Sequence, residues 1–294
     1  FPEPTWLVER LFPTGAFVVL YGPSNHGKTF VALDWAFHVA TGQPWQGLAT
    51  RQGPVIYIAA EGRGGLAQRV DSWLFYHRVS LSRPPVLFGL EPLDLLGDGP
   101  NELIGLCAEG IGVGDPPDNE PQELCPSLIV IDTLARCFGK GDENETVDMV
   151  EFVAGVDTIR RELHATVLVV HHTGKDRARE ERGSSVLRGA ADTMIRASKD
   201  KNDQITLRCS KQKDAVGFEN IELRLIPIKD SCVVSPEHAV ESALRTVLGD
   251  PLLRTTRGRA CAMAALTGLP VETCRNRLRK EAGTAVALHA AVLA

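Results

Sequence analysis

Residues 22–29 read GPSNHGKT, and no other stretch constrains the fold as strongly. They stand between a short apolar run, AFVVLY at 16–21, and FVALDWAFHVA at 30–40, whose apolar residues recur at helical spacing. The pattern G-x-x-x-x-G-K-[ST] between a strand and a helix is the signature of a phosphate-binding loop. Gly22 and Gly27 permit the unusual φ values and the close backbone approach that a phosphate requires. Pro23, Ser24, Asn25 and His26 complete a turn whose backbone N–H groups can face the anion. A helix beginning near Lys28 adds its positive dipole end. Lys28 is then placed to neutralise β- and γ-phosphates, and Thr29 to ligate Mg²⁺.

The rest of the first 230 residues alternates strand and helix signals. PVIYIAA at 54–60, SLIVID at 127–132 and TVLVV at 166–170 read as buried strands, with helices over 65–79 and 146–163. Near-continuous apolar strands separated by helices predict a parallel sheet covered on both faces, hence an α/β fold. QITLRCS at 204–210 and IELRLI at 221–226 alternate more, as antiparallel edge strands would. Residues 89–126, rich in Gly, Pro and acids, predict a long connection with one helix near 100–109. Past Ser235 the texture becomes short and Ala-rich, which puts a linker at 230–240 between the α/β domain, 1–233, and a helical module, 240–294.

With 294 residues and 44% hydrophobic content the chain can bury a substantial core. No apolar run reaches the roughly 18 residues of a membrane helix, so no membrane partner is expected. FPEPTWLVER has neither the basic nor the apolar region of a signal peptide, and a start at Phe rather than Met is compatible with a piece of a longer protein. Seven scattered cysteines without a CxxC pair fit a reduced, cytoplasmic protein.

A phosphate loop needs a second metal-side carboxylate at a neighbouring strand end, and SLIVID supplies Asp132. Glu61 directly follows VIYIAA, at the sheet edge where open α/β folds bind ligands, and is placed to deprotonate an attacking water. The position after Asp132, an alternative place for a base, is Thr133. TVLVV ends in His171 and His172, either of which could contact a terminal phosphate.

Together GPSNHGKT, AAEG, IVIDTLAR, VVHHTGK and RGSSVLRGAADTMI resemble the RecA-type P-loop ATPases, and most closely the plasmid- and phage-encoded RepA-like hexameric replicative helicases related to DnaB. The resemblance spans roughly residues 5–230. It implies a RecA-like parallel sheet with flanking helices, ATP and Mg²⁺ bound at subunit interfaces of a ring, and Glu61 as catalytic base. Its γ-phosphate sensor matches His172 best, with His171 as runner-up. It implies cations delivered from a neighbouring subunit, for which Arg182, Lys211 and Lys213 are the matching positions. DnaB-type rings carry K-x-R where this chain has K-x-K, so either lysine can be the finger. The loops facing DNA correspond to 136–146 and 173–185. Within the latter, Lys175, Arg177 and Arg179 could touch a phosphate backbone, though Asp176, Glu180 and Glu181 nearly balance their charge.

Residues 251–294 carry seven basic and two acidic side chains, a net +5 within a chain of −5, leaving −10 for residues 1–250. RACAMAALTGLPVETCRNRLRKE reads as helix, turn, helix, with Gly268 in the turn, Pro270 opening the second helix, and Arg275, Arg277, Arg279 and Lys280 along it. Such a module meets duplex DNA through its second helix. The leading expectation is therefore a homo-oligomeric ring, a hexamer by the resemblance, threading single-stranded DNA. The alternatives are an ATP-switched DNA-binding regulator and a recombinase filament.

Overall fold

The computed structural model describes residues 4–79, 86–110, 124–173 and 184–236, with 256, 259–261, 271, 274–276 and 278–279 beyond them. The strands are β1 Trp6–Val8, β2 Phe12–Pro13, β3 Phe17–Gly22, β4 Val55–Ala59, β5 Val86–Gly89, β6 Leu128–Asp132, β7 Thr166–His172, β8 Thr193–Lys199, β9 Gln204–Gln212, β10 Ile221–Ile228 and β11 Ser231–Pro236. The helices are α1 Lys28–Thr41, α2 Leu66–His77, α3 Gly99–Glu109, α4 Thr146–Leu163 and α5 Ser184–Ala190. By contacts the chain forms two compact units, Phe1–Leu66 with Leu81–Glu222, and Ala67–Ser80 with Leu223–Ala294.

In the first unit the strands run in the order β9-β8-β3-β7-β6-β4-β5. Every neighbouring pair from β8 to β5 is parallel, and β9 is antiparallel to β8. Alternation divides each strand's side chains between two buried faces. Phe17, Val19, Ile129, Ile131, Val167 and Val169 join Phe152, Val156 and Ile159 of α4 and Leu103 and Cys107 of α3 in one cluster. The intervening Val18, Leu20, Val130, Leu168 and Val170 are buried on the opposite face, which α1 covers. Burial on both sides is why these strands read as unbroken apolar runs.

α1 is buried nearly all round and carries polar groups inside. The indole N–H of Trp45 donates to Asp34 Oδ2 at 2.7 Å, and His38 Nε2 lies 3.5 Å from Asp34 Oδ1. A buried carboxylate is tolerable here because its oxygens have partners.

The second unit pairs β10 with β11 in an antiparallel hairpin. There Ser72 of α2 donates to Ile228 O at 2.8 Å, and Lys229 meets Asp71 at 2.8 Å. The described residues of the basic tail are helical, with Cys274 and Leu278 buried one turn apart. The predicted turn, Gly268, Pro270, Arg277 and Lys280 lie outside the described residues. No helix among the described residues is long and apolar enough to cross a membrane.

Candidate functional site

Parallel strands deliver their C-terminal ends to one edge, so β3, β4, β6 and β7 bring Gly22, Glu61, Asp132 and His172 together from distant parts of the chain. The loop after β3 is shaped by backbone sterics. Gly22 has φ 152°, and a β-carbon there would collide with the Ala197 carbonyl oxygen of β8. Gly27, at φ 79°, caps the start of α1, whose first turn holds no acidic residue. Asn25 also adopts positive φ, at 65°. Only glycine fits the first of these positions, so the motif's spacing is a packing requirement as well as a phosphate requirement.

Lys28 is 3% exposed. Its Nζ donates to Gly22 O at 2.8 Å and Pro23 O at 2.7 Å, both carbonyls of its own loop. Desolvation pulls its pKa down to about 8, against the opposing pull of Asp132 and Glu61. A buried ammonium held by neutral carbonyls is a site that an anion stabilises. The loop therefore fits a triphosphate. For the metal, the Thr29 hydroxyl and the Asp132 carboxylate are hard oxygen donors of the type Mg²⁺ selects. Asp132 is 1% exposed, and the Tyr57 hydroxyl donates to its Oδ2 at 2.7 Å.

Glu61 stands beyond β4 with Oε2 held from two sides. Thr133 Oγ1 donates to it at 3.2 Å, and His172 Nε2 lies 3.6 Å away. On its other side, His172 Nδ1 is 3.4 Å from Ser24 Oγ of the phosphate loop. A continuous polar line thus runs from the loop through His172 to the carboxylate. Burial and the Lys28 charge lower the His172 pKa, with Glu61 opposing, so the imidazole is neutral at pH 7. His171, its neighbour along β7, belongs to the opposite face by strand alternation. Burial, His172 and Lys28 push it down to about 4, and its Nδ1 has no hydrogen-bond partner among the described residues. Of the two histidines, His172 is the one the fold brings to the loop and to Glu61.

Of the cations expected to serve a neighbouring subunit, Lys211 and Lys213 lie elsewhere. Lys211 and Lys213 come at the far end of β9, where Lys211 pairs with Met194 at the start of β8. Lys211 Nζ donates to Arg188 O at 2.6 Å and Gly189 O at 3.0 Å, at the carbonyl end of α5. Lys213 Nζ lies 3.4 Å from Asp192 Oδ1. Arg182, with Lys175, Arg177 and Arg179, falls outside the described residues. In the loop at 136–146, Arg136 and Lys140 are exposed. Cys137 and Phe138 are buried, with Phe138 stacked on Phe152 at 5.3 Å. Asp142, Glu143 and Glu145 outnumber the two cations of that loop.

Sequence reading alone missed Tyr57 and Thr133 as site residues. A hydroxyl inside the otherwise apolar VIYIA was a usable signal, since a buried phenol needs a partner. Thr133 had only its place after the strand-end aspartate to mark it.

Residues 1–178 match the family described as AAA domain. No curated protein matches the chain. Among solved structures, the ATPase domain of the protein G-40-P superimposes with a TM-score of 0.52 at 12% identity, covering 75% of this chain and 85% of that one. A KaiC-like protein, PH0186 from Pyrococcus horikoshii OT3, gives 0.50 at 16% identity, covering 80% of this chain and 96% of that one. Both likenesses are of fold, a RecA-like sheet with flanking helices.

Proposed function

The chain belongs to the AAA domain family, and from that premise we propose that it is an ATP-hydrolysing DNA motor, a ring-forming replicative helicase of a plasmid, phage or prophage. The observation that carries the reading is the convergence of Lys28, Asp132, Glu61 and His172 on one sheet edge, with hydroxyl and imidazole groups already bracketing Glu61. Likeness to a solved ATPase domain supports the ATPase part of it.

The chain's own groups divide the work. Lys28 and the loop's backbone N–H groups hold the triphosphate. Glu61 accepts a proton from the attacking water, its carboxylate oriented by Thr133 and His172. His172, linked to Ser24, registers the occupancy of the loop and passes it to Glu61. Thr29 and Asp132 would hold Mg²⁺, which supplies positive charge to the phosphate oxygens. A cation from a neighbouring copy completes the charge, drawn from Arg182, Lys211 and Lys213. The position of the two lysines supports delivery in trans. Five residue steps along β8 separate the Met194–Lys211 pair from Lys199 at the loop, roughly 16 Å at strand rise, beyond the reach of a lysine toward its own phosphates. The loops at 136–146 and 173–185 would face single-stranded DNA in the pore, and the basic helical tail would meet duplex DNA.

The test is unwinding of a forked duplex by the wild type and by Glu61→Gln, with native mass measurement in the presence of ATP analogue and single-stranded DNA. A ring that unwinds, and a variant that binds ATP yet neither turns it over nor unwinds, is the expected result. Sequence-specific duplex binding without unwinding would favour the regulator, and open polymers on single strands the recombinase. A lone monomer that hydrolyses ATP at full rate without DNA would end the motor reading.

A further inference from the structure

His26 occupies one of the positions that the phosphate-loop pattern leaves open to any residue, yet its side chain makes a specific bond. The backbone N–H of Lys199, the last residue of β8, donates to His26 Nδ1 at 2.8 Å. An imidazole nitrogen accepts such a bond only with its lone pair free, so the ring proton sits on Nε2. Burial and the charges of Lys28, Lys199 and Arg196 lower the His26 pKa, which keeps the ring in the neutral form that this bond requires.

The partner is rigid. The turn after Lys199 is closed by Gln204 N to Asp200 Oδ1 at 2.9 Å, Asn202 N to the same oxygen at 2.8 Å, and Asp200 N to Gln204 O at 3.0 Å. Lys199 Nζ adds an ion pair to Asp203 at 2.9 Å. Two residues earlier, Ala197 O abuts Gly22 so closely that no β-carbon would fit. The end of β8 therefore walls the phosphate loop at both its beginning, Gly22, and its last turn, His26.

We propose that His26 is a positioning residue that latches the phosphate loop to the β8 end, holding it in an open, nucleotide-ready shape before the ligand arrives. Pre-forming the loop lowers the ordering entropy lost on binding, so the latch acts on affinity. The inference rests on the reading of this loop as a nucleotide site.

Asparagine and glutamine separate the latch from general loop packing, because the Asn amide oxygen replaces Nδ1 and the Gln oxygen replaces Nε2. The probe is a fluorescent ATP analogue titrated with the full chain, with ATP turnover measured in parallel. His26→Ala is expected to weaken binding about 3- to 10-fold, the worth of one hydrogen bond. His26→Asn is expected to return within about 2-fold of wild type, and His26→Gln to resemble His26→Ala. Equal behaviour of Asn and Gln, or wild-type binding by His26→Ala, overturns the latch. Lys28→Ala run alongside separates the two readings. Binding retained there sinks the phosphate site and the latch with it. Binding lost there, with His26→Ala unaffected, sinks the latch alone.

Discussion

The two edges of the central sheet both gather charge, but in opposite conditions. At the edge where the parallel strands end, Lys28 is buried against the carbonyls of Gly22 and Pro23, and its pKa is drawn down to about 8. At the edge where they begin, Asp192 takes the Phe17 N–H at 2.9 Å, Arg160 Nη1 at 2.6 Å and Lys213 Nζ at 3.4 Å. Arg160 also pairs with Asp157 at 2.9 Å. The first edge holds its cation on neutral carbonyls; the second sets Arg160 and Lys213 against the Asp192 carboxylate. A cationic group hydrogen-bonded to carbonyls at a sheet edge marks a place for an anion, and the Asp192–Arg160 pairing marks architecture.

The largest effect that separates the edges is at Lys28. Lys28→Ala is expected to lower ATP turnover by at least about 10³-fold, since it removes the charge facing the transferred phosphoryl group, while leaving the unfolding midpoint in denaturant unchanged or higher. Wild-type turnover in this variant would break the comparison at its stronger side. At the other edge, Asp192→Ala is expected to destabilise by about 2–3 kcal/mol in urea unfolding, by orphaning the Phe17 N–H and loosening Arg160. Its affinity for the ATP analogue should stay within about 2-fold. A loss under about 0.5 kcal/mol, or a tenfold fall in affinity, would erase the distinction.

A smaller effect sharpens the description of the reactive edge. Thr133→Val keeps the shape of a buried residue but removes the hydroxyl 3.2 Å from Glu61. Saturated turnover should fall about 10-fold, the low end for a hydrogen bond to a charged group as befits its 3.2 Å length, with binding of the ATP analogue unchanged. A change confined to binding would place Thr133 outside the catalytic geometry.

Much of this contrast was legible before any coordinates. GPSNHGKT between a strand and a helix points to the loop, and strand-end Glu61 and Asp132 follow from the rule that parallel sheets present their C-terminal ends to ligands. Four of the parallel strands were readable because burial on both faces leaves an unbroken apolar run. β8 was not, because TMIRASK mixes Arg, Ser and Lys into a strand bordered by the antiparallel β9, and β5 is only VLFG. The bonds of Thr133 and His26 were also illegible, since each joins groups far apart in sequence whose meeting depends on strand order. The matching of Lys211 and Lys213 within their own chain follows from the same long-range geometry. Sequence shows which charges exist, and only packing shows what each of them touches.

The subtlest consequence is a proton. With its pKa near 8, Lys28 is about 90% charged at pH 7, half charged at pH 8 and about 10% charged at pH 9. A bound triphosphate stabilises the ammonium and returns its pKa toward or above the ordinary 10.5. Binding must then take up about 0.1 proton at pH 7, about 0.5 at pH 8 and about 0.9 at pH 9. The sign follows from the direction of the shift: the free site binds fewer protons than the complex in this window, so affinity falls as pH rises from 7 to 9. Calorimetric titration of a non-hydrolysable ATP analogue in two buffers of different ionisation heat reads the uptake directly. The nucleotide's own terminal phosphate titrates near neutrality and contributes little above pH 8. Uptake that stays flat between pH 7 and 9 would mean that Lys28 is charged throughout, and the contrast between a ligand-seeking edge and a self-satisfied one would lose its electrostatic basis.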